Sequence, residues 1–115
     1  MKKLLCIVLL AVSMLGHTGY LSGAFLFDGM RAEDRTKRPN PTTIDYQLGA
    51  HYKGFVAGVA DIATAEKLIC PPPTTSVGQI STTVTTYLKD NPEKELDNSG
   101  YTIVLDALKD EFPCK

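Results

Sequence analysis

The chain has 115 residues, of which 43% are hydrophobic and 22% are charged, and its formal net charge is -1. This length suits one domain, and the composition is that of a globular protein and excludes a disordered or fibrous chain. The near-neutral charge gives no sign of a nucleic-acid or other polyanionic partner, and none is predicted.

The N-terminus has the layout of a secretory signal peptide. Two lysines near the start precede an uninterrupted apolar run over residues 4–16, and the small residues Ser22 and Ala24 fit the -3 and -1 positions of a cleavage site. We therefore predict a signal peptide over residues 1–24 and a mature domain over residues 25–115, located in the periplasm and not membrane-bound after cleavage. A cut a few residues earlier is the main alternative. An uncleaved anchor is less favoured, because the apolar run is short for a membrane-spanning helix.

The first predicted helix of the mature segment is short and covers about residues 28–35. The segment begins apolar and becomes charged, with basic and acidic side chains interleaved, which is typical of a solvated surface. The sequence Arg-Pro-Asn-Pro at 38–41 ends the helix, because a residue that precedes proline avoids helical dihedral angles.

The longest helical pattern starts at Thr42 or Thr43, which can cap it, and extends toward Cys70. One broad apolar face at helical spacing predicts the side that packs into the core, namely Ile44, Leu48, Tyr52, Phe55, Val56, Val59 and Ile62. The opposite face is a stripe of mostly small residues, namely Ala50, Gly54, Ala57, Gly58, Asp61 and Ala65. Glycine within a helix is unfavourable by up to about 1 kcal/mol relative to alanine, so we predict that something approaches this stripe closely. Another helix of the same chain is the preferred neighbour, and the same stripe of a second subunit is the alternative.

A third helix is predicted after a rigid loop of three prolines that follows Cys70. Ser76 and Gln79 have the spacing of a capping box, and Asn91 with Pro92 forms a stop signal. The run between them is rich in β-branched residues and also fits a strand. The cap and the stop favour a helix.

A polar connection, residues 89–99, leads to the last predicted helix, which Asp97, Asn98 or Ser99 can cap. Its apolar stripe consists of Tyr101, Val104, Leu105, Leu108 and Phe112, and Pro113 ends it. The elements together predict an all-α fold, a small bundle of about four helices.

One disulfide is predicted, between Cys70 and Cys114. Cys6 lies in the signal segment, so these two cysteines remain as a pair in a compartment where thiols are oxidised. The loop that they close is worth roughly 4 kcal/mol in the chain-entropy model. Other roles fit less well, because two cysteines and one mature histidine cannot complete a four-ligand zinc site, and a nucleophile next to the C-terminus lacks a positioned base.

The sequence lacks the patterns of catalytic and cofactor sites. It contains no glycine-rich phosphate loop, no G-x-S-x-G elbow and no histidine or cysteine set with metal-ligand spacing. His51, the one histidine of the mature segment, is interpreted as structural. We therefore predict no catalytic residue, metal or cofactor, and a protein that works by binding.

Four motifs in a fixed order resemble the Rap/Tai immunity family, whose members are partners of type VI secretion amidase effectors. They are GFVAGVAD at 54–61, ICPPPTTSVGQ at 69–79, YLKDNPE at 87–93 and ALKDEFPC at 107–114. The resemblance covers about residues 45–114. The chain departs from the family at ICPPP, where members often have IC-I-P, and it lacks an upstream cysteine pair that many members carry.

The resemblance implies a periplasmic, all-helical and commonly dimeric protein that inhibits a cysteine amidase, an enzyme that cuts the peptide stems of peptidoglycan. Inhibition in such proteins is steric, through a loop that covers the active-site groove of the enzyme. We prefer the connection at 89–99 as this loop over the proline loop at 71–75, because it is longer, more charged and less constrained by the disulfide. A solvated turn is its alternative role. The predicted contact residues are Lys89, Asp90, Asn91, Glu93, Lys94, Glu95, Asp97 and Asn98.

Two other functions are compatible with parts of the sequence. A small periplasmic acid-protective chaperone would have the same size, compartment and cysteine pairing, and would expose apolar surface at low pH. An enzyme that acts on cell-wall peptides is the least favoured, because it requires a free thiol at Cys70 or Cys114 near His51.

Overall fold

A computed structural model of the chain describes residues 20–115. It contains four α-helices, which are α1 (Gly23–Thr36), α2 (Thr43–Ala65), α3 (Val77–Asp90) and α4 (Gly100–Glu111), and a 3-10 helix (Pro92–Leu96) between α3 and α4. No residue in this range belongs to a strand, which confirms the predicted all-α bundle. None of the helices described is long and apolar enough to cross a bilayer. The apolar run of the predicted signal peptide lies outside the described residues.

Capping boxes start two of the three helices for which the sequence predicted caps. Thr42 caps α2, and Asp45, three residues later, accepts a hydrogen bond from the Thr42 backbone N–H at 3.0 Å. Ser76 and Gln79 form the same reciprocal pair at the start of α3, with distances of 2.7 and 3.1 Å. The predicted helix at this position is confirmed, because the cap outweighs the strand preference of its β-branched residues.

The first helix begins earlier than predicted. Ser22 is its cap, because the Ser22 hydroxyl accepts a hydrogen bond from the backbone N–H of Phe25 at 3.3 Å. Leu26 and Phe27, which follow directly, are buried in the core. The predicted boundary after Ala24 therefore falls within the first turn of α1.

All four helices contribute to one apolar core. Its fully buried members include Leu26, Tyr52, Val56, Ile69, Val84, Leu88, Ile103, Val104 and Leu108. Tyr52 shares a hydrogen bond of 2.8 Å with the hydroxyl of Thr85, so its phenol is not left unpaired, and burial raises the pKa of Tyr52 to about 12. The closest helix pair is α1 with α2, where Gly29 lets the backbone of α1 lie directly against the Tyr52 side chain.

The predicted disulfide between Cys70 and Cys114 is confirmed. Their sulfurs are 2.01 Å apart, and their Cα atoms are 4.9 Å apart. Next to the bridge, the backbone N–H of Cys70 donates to the carbonyl of Phe112 at 2.9 Å, and Ile69 is buried. The bridge and this hydrogen bond together tie the segment after α2 to the end of α4.

The predicted core face of α2 is correct at its centre and wrong at its ends. Tyr52 and Val56 are buried, but Ile44 and Ile62 are 63% and 60% exposed. Ala60 and Ala63 are buried instead, so the second half of the core face is rotated toward smaller side chains.

Within the described part of the chain, no other helix packs against the stripe of small residues on α2 at Gly54 and Gly58. A Cβ atom built on Gly54 or Gly58 would meet no atom within 4 Å, and Ala50 and Ala65 are exposed. The preferred prediction, that another helix of the same chain packs here, is therefore wrong for residues 20–115. The close approaches occur instead at Gly29 and Gly49, on the side where α1 crosses α2.

Candidate functional site

The predicted contact residues lie together on the segment between α3 and α4, which we call the 89–99 loop. It runs from Lys89 in the last turn of α3 to Ser99, whose hydroxyl accepts a hydrogen bond from the Thr102 N–H at 3.3 Å and caps α4. Asp97 and Asn98, the other predicted caps, precede this cap. The 3-10 helix forms the centre of the loop, so this part of the connection is regular structure that the sequence patterns did not predict.

Internal hydrogen bonds fix the shape of the 89–99 loop. The side-chain amide of Asn91 donates to the carbonyl of Tyr87 at 2.8 Å, and the backbone N–H of Lys94 donates to the Asn91 carbonyl at 3.0 Å. The backbone N–H of Asp97 donates to the Lys94 carbonyl at 3.0 Å. Pro92 at the first helical position adds a fixed dihedral angle. A loop held in this way has little conformational freedom to lose when it binds.

Helix α1 supports the 89–99 loop from the side. The guanidinium of Arg31 donates two parallel hydrogen bonds to the carboxylate of Glu95, at 2.7 and 2.8 Å. These bonds lower the pKa of Glu95 and raise the pKa of Arg31, because each charged form is stabilised by the other. The Arg31 guanidinium also lies 5.5 Å from the ring centre of Phe27, so it contacts an aromatic ring as well as the Glu95 carboxylate. The paired hydrogen bonds between Arg31 and Glu95 set the orientation of the 3-10 helix relative to the bundle.

The predicted contact residues divide into those that the fold uses and those that face outward. Asn91 and Glu95 have the hydrogen bonds just described, Lys89 contacts Asp34 at 3.0 Å, and Lys94 contacts Asp97 at 3.7 Å. The remaining three form no ion pair or side-chain hydrogen bond within residues 20–115, and they are Asp90, Glu93 and Asn98. The surface that the loop offers to a partner is therefore acidic and polar.

Leu96 is a residue of this surface that sequence reasoning missed. It ends the 3-10 helix and is 87% exposed, more than the other large apolar side chains that follow Tyr20. An apolar side chain on an ordered loop, with polar groups around it, has the layout of a small apolar contact inside a polar rim. The signal in the sequence was a single leucine within the otherwise polar run EKELDNS, at a position that no helical stripe explains.

A second open surface lies between α2 and the proline loop. A shallow groove there is lined by side chains that include Ala57, Asp61, Pro72 and Val77. Ala57 and Asp61 belong to the stripe of small residues on α2, and Val77 is 59% exposed. This surface is mostly apolar, in contrast to the 89–99 loop.

The alternative function as a cysteine enzyme does not fit the structure. It required a free thiol at Cys70 or Cys114, and the two sulfurs are bonded to each other. Among residues 20–115, no three histidine, cysteine, aspartate or glutamate side chains are grouped as metal ligands would be.

Residues 39–114 match the family model described as Rap1a immunity proteins. The chain belongs to the Rap1a immunity protein family. The matched range contains α2, α3, the 89–99 loop, α4 and both bonded cysteines, whereas α1 precedes it. No curated protein matches the chain. Membership of the Rap1a family confirms the resemblance seen in the sequence and implies that the chain binds a cognate effector protein.

Proposed function

We propose that this Rap1a family member is a periplasmic immunity protein that inhibits a peptidoglycan amidase effector of a type VI secretion system. It would protect the cell that makes it, and its siblings, from the amidase. Family membership supports the immunity role, and the ordered motifs of the sequence support the amidase as target. The observation that carries the proposal is the 89–99 loop, an ordered and outward-facing segment with an exposed apolar residue at its centre.

The proposed mechanism is steric. Leu96 enters the substrate groove of the amidase, and the carboxylates of Asp90 and Glu93 contact polar groups at the rim. Burying a leucine side chain is worth about 1.5–3 kcal/mol, whereas exposed charges contribute more to the rate and specificity of association. The contact of Arg31 with Glu95 holds the loop in one shape before the enzyme arrives, so that binding orders few groups.

The first experiment tests the immunity function itself. A candidate amidase effector from the same genome is exported to the periplasm of a host cell, with and without the protein, and growth is followed. We expect lysis with the amidase alone and normal growth when both are present. Continued lysis in the presence of folded protein contradicts the proposal.

The second experiment tests the surface, with a purified and catalytically inactive amidase. We expect Leu96→Ala to weaken binding about 10- to 100-fold, which corresponds to the burial energy of the side chain. Ile44→Ala is the matched control, because Ile44 is also exposed but belongs to the first turn of α2 and not to the 89–99 loop. Equal affinities of the wild type and Leu96→Ala would show that the contact with the amidase lies on another surface.

The charges of the loop require a selective test. Reversing Glu95 or Asp97 also breaks contacts within the protein, so a loss of binding would not identify the interface. Asp90→Lys and Glu93→Lys leave those contacts in place. We expect both variants to slow association and to reduce its salt dependence.

We also propose a homodimer, which the family resemblance implies, with the small-residue stripe of α2 at its interface. Gly54 and Gly58 leave their backbone open to a close approach, and the neighbouring Ile62 is exposed. Gly58→Leu tests this proposal, because a Cβ atom at position 58 meets no atom of the subunit within 4 Å, whereas the larger side chain would block a helix crossing. We expect a stable monomer by sedimentation; an unchanged dimer, or a wild type that is monomeric, contradicts the interface.

A further inference from the structure

Residues Leu21–Ala24 are part of the folded domain. The hydroxyl of Ser22 caps α1, and its backbone carbonyl accepts a hydrogen bond from the Leu26 N–H at 3.2 Å, which is the first bond of the helix. Gly23 is buried and is the first residue of that helix. Tyr20, by contrast, is fully exposed, so among the described residues the packed part begins at Leu21.

Two backbone hydrogen bonds join this segment to distant parts of the chain. The Gly23 N–H donates to the carbonyl of Asp97 at 2.8 Å, and the Gly100 N–H donates to the carbonyl of Leu21 at 2.7 Å. They connect the segment to both ends of the turn that leads from the 89–99 loop into α4. Each bond satisfies a backbone group that would otherwise lack a partner there.

The segment Leu21–Ala24 also packs closely against the backbone around it. A Cβ atom on Gly23 would overlap the carbonyl oxygen of Lys94 and lie 3.0 Å from that of Asp97. A Cβ atom on Gly100 would lie 3.0 Å from the carbonyl oxygen of Leu21. A side chain at position 23 would therefore force the backbone apart, and one at position 100 would be tight, so the two segments lie in close backbone contact.

We infer that signal peptidase cuts the chain on the N-terminal side of Leu21, and that Leu21–Ala24 remain in the mature protein as a strap that holds the 89–99 loop. This inference rests on the proposed export of the chain and places the cut earlier than the site after Ala24. A cut after Ala24 removes the Ser22 cap and both long-range hydrogen bonds. It also creates an ammonium group at Phe25, whose half-buried ring packs on Phe55 at 6.2 Å, and a positive charge is unfavourable at the start of a helix.

The sequence offers an earlier site that meets the requirement of signal peptidase for small residues. Gly16 and Thr18 stand at the -3 and -1 positions of a cut before Gly19, directly after the apolar run. A cut there leaves an N-terminus upstream of the exposed Tyr20 and the whole strap intact.

The first test is N-terminal sequencing and intact mass of the untagged protein purified from the periplasm. We expect a mature chain that still contains Leu21–Ala24. A chain that begins at Phe25 overturns the inference, and so does a chain that keeps its whole leader. The immunity assay reports separately on function, so a protective protein that begins at Phe25 would overturn this inference and leave the proposed function in place.

Two further measurements separate the sites. Ala24→Glu prevents a cut after residue 24 but suits the exposed first turn of α1, where an acidic side chain is favourable. We expect this variant to be processed like the wild type, and accumulation of its precursor overturns the inference. Hydrogen exchange of the mature wild type gives a second readout, in which the Gly23 and Gly100 amides are expected to be protected. Exchange of both amides at the rate of unstructured peptides overturns the strap.

Discussion

Removal of the disulfide is the perturbation whose size follows most directly from the structure. Replacing Cys70 and Cys114 by serine releases a loop whose ends are 44 positions apart. In the chain-entropy model this loop contributes about 4 kcal/mol to the free energy of unfolding. A domain of this size typically has only about 5–15 kcal/mol in total, so the bridge is a large share. The hydrogen bond of Cys70 with Phe112 and the buried Ile69 remain, and we therefore expect a folded but fragile protein, with Tm lower by roughly 15–30 °C.

The assay is urea denaturation of the oxidised wild type, the reduced wild type, each single serine variant and the double variant. If the bridge acts through loop closure, either single change opens the same loop. The two single variants, the double variant and the reduced wild type should then lose nearly the same free energy. If the bridge acts through local contacts, the losses of the single variants should add. A reduced wild type within about 1 kcal/mol of the oxidised protein would refute the argument from loop length.

Three other substitutions test the packing and electrostatics of the bundle, each by thermal or urea denaturation. Gly29→Ala should destabilise by about 1–3 kcal/mol, because its Cβ would overlap the side chain of Tyr52; a stabilised variant would show that α1 can move aside. Ser81→Ala should stabilise by about 1 kcal/mol, because the buried Ser81 hydroxyl has no hydrogen-bond partner among the described residues; a loss of stability contradicts this. Asp45→Asn should flatten the acid side of the stability curve. The pKa of Asp45 is lowered in the folded protein, chiefly by the hydrogen bond from the Thr42 N–H. Its carboxylate therefore stabilises the fold above the unfolded pKa of about 3.9, and this stabilisation is lost as pH falls through the folded pKa. If the free energy of unfolding of Asp45→Asn falls with acid as steeply as that of the wild type, the role of this cap is refuted.

The acid-protective chaperone remains a prediction that acid measurements can test. That function requires exposure of apolar surface and binding of unfolded clients at about pH 2–3, below the ordinary pKa of the carboxylates. The pH series on the wild type and Asp45→Asn shows where the domain opens. A protein that stays folded and binds no client in that range would exclude the chaperone.

Local signals in the sequence were sufficient where one turn of backbone decides the structure. The capping box of Ser76 and Gln79 involves four consecutive residues, and it predicted α3 against the strand preference of the following run. The pairing of Cys70 with Cys114 was predictable for a different reason, since a count of two leaves one possible bond.

The errors on α2 have a geometric origin. Periodicity shows which residues share a face, but it does not show how far the neighbouring helices extend along that face. With 23 residues α2 is longer than α1 or α4, and Ile44 and Ile62, near its two ends, remain exposed. The same limit applies to Gly54 and Gly58, whose spacing indicates a close contact without showing which chain provides it.

The sequence indicated which segment forms the candidate site, but not which of its side chains face outward. The length and charge of residues 89–99 indicated a loop, but no local pattern shows that Glu95 bonds to Arg31, 64 positions earlier in the chain. Leu96 was missed because one apolar residue in a polar run has no periodicity. The start of α1 was also hidden, because the signal-peptide pattern is local and the contact of Gly23 with Asp97 is not.

The dependence of the 89–99 loop on α1 has a consequence for protein engineering. Its orientation on the bundle is held by Arg31 and by the backbone of Leu21 and Gly23, all of which precede the range matched to the Rap1a family. A graft of the loop alone onto a related scaffold would carry the outward side chains but not their support. A transplant that is to keep its specificity must therefore move two segments that are far apart in the chain. Variant libraries that diversify only residues 89–99 would leave the residues that support the loop unchanged.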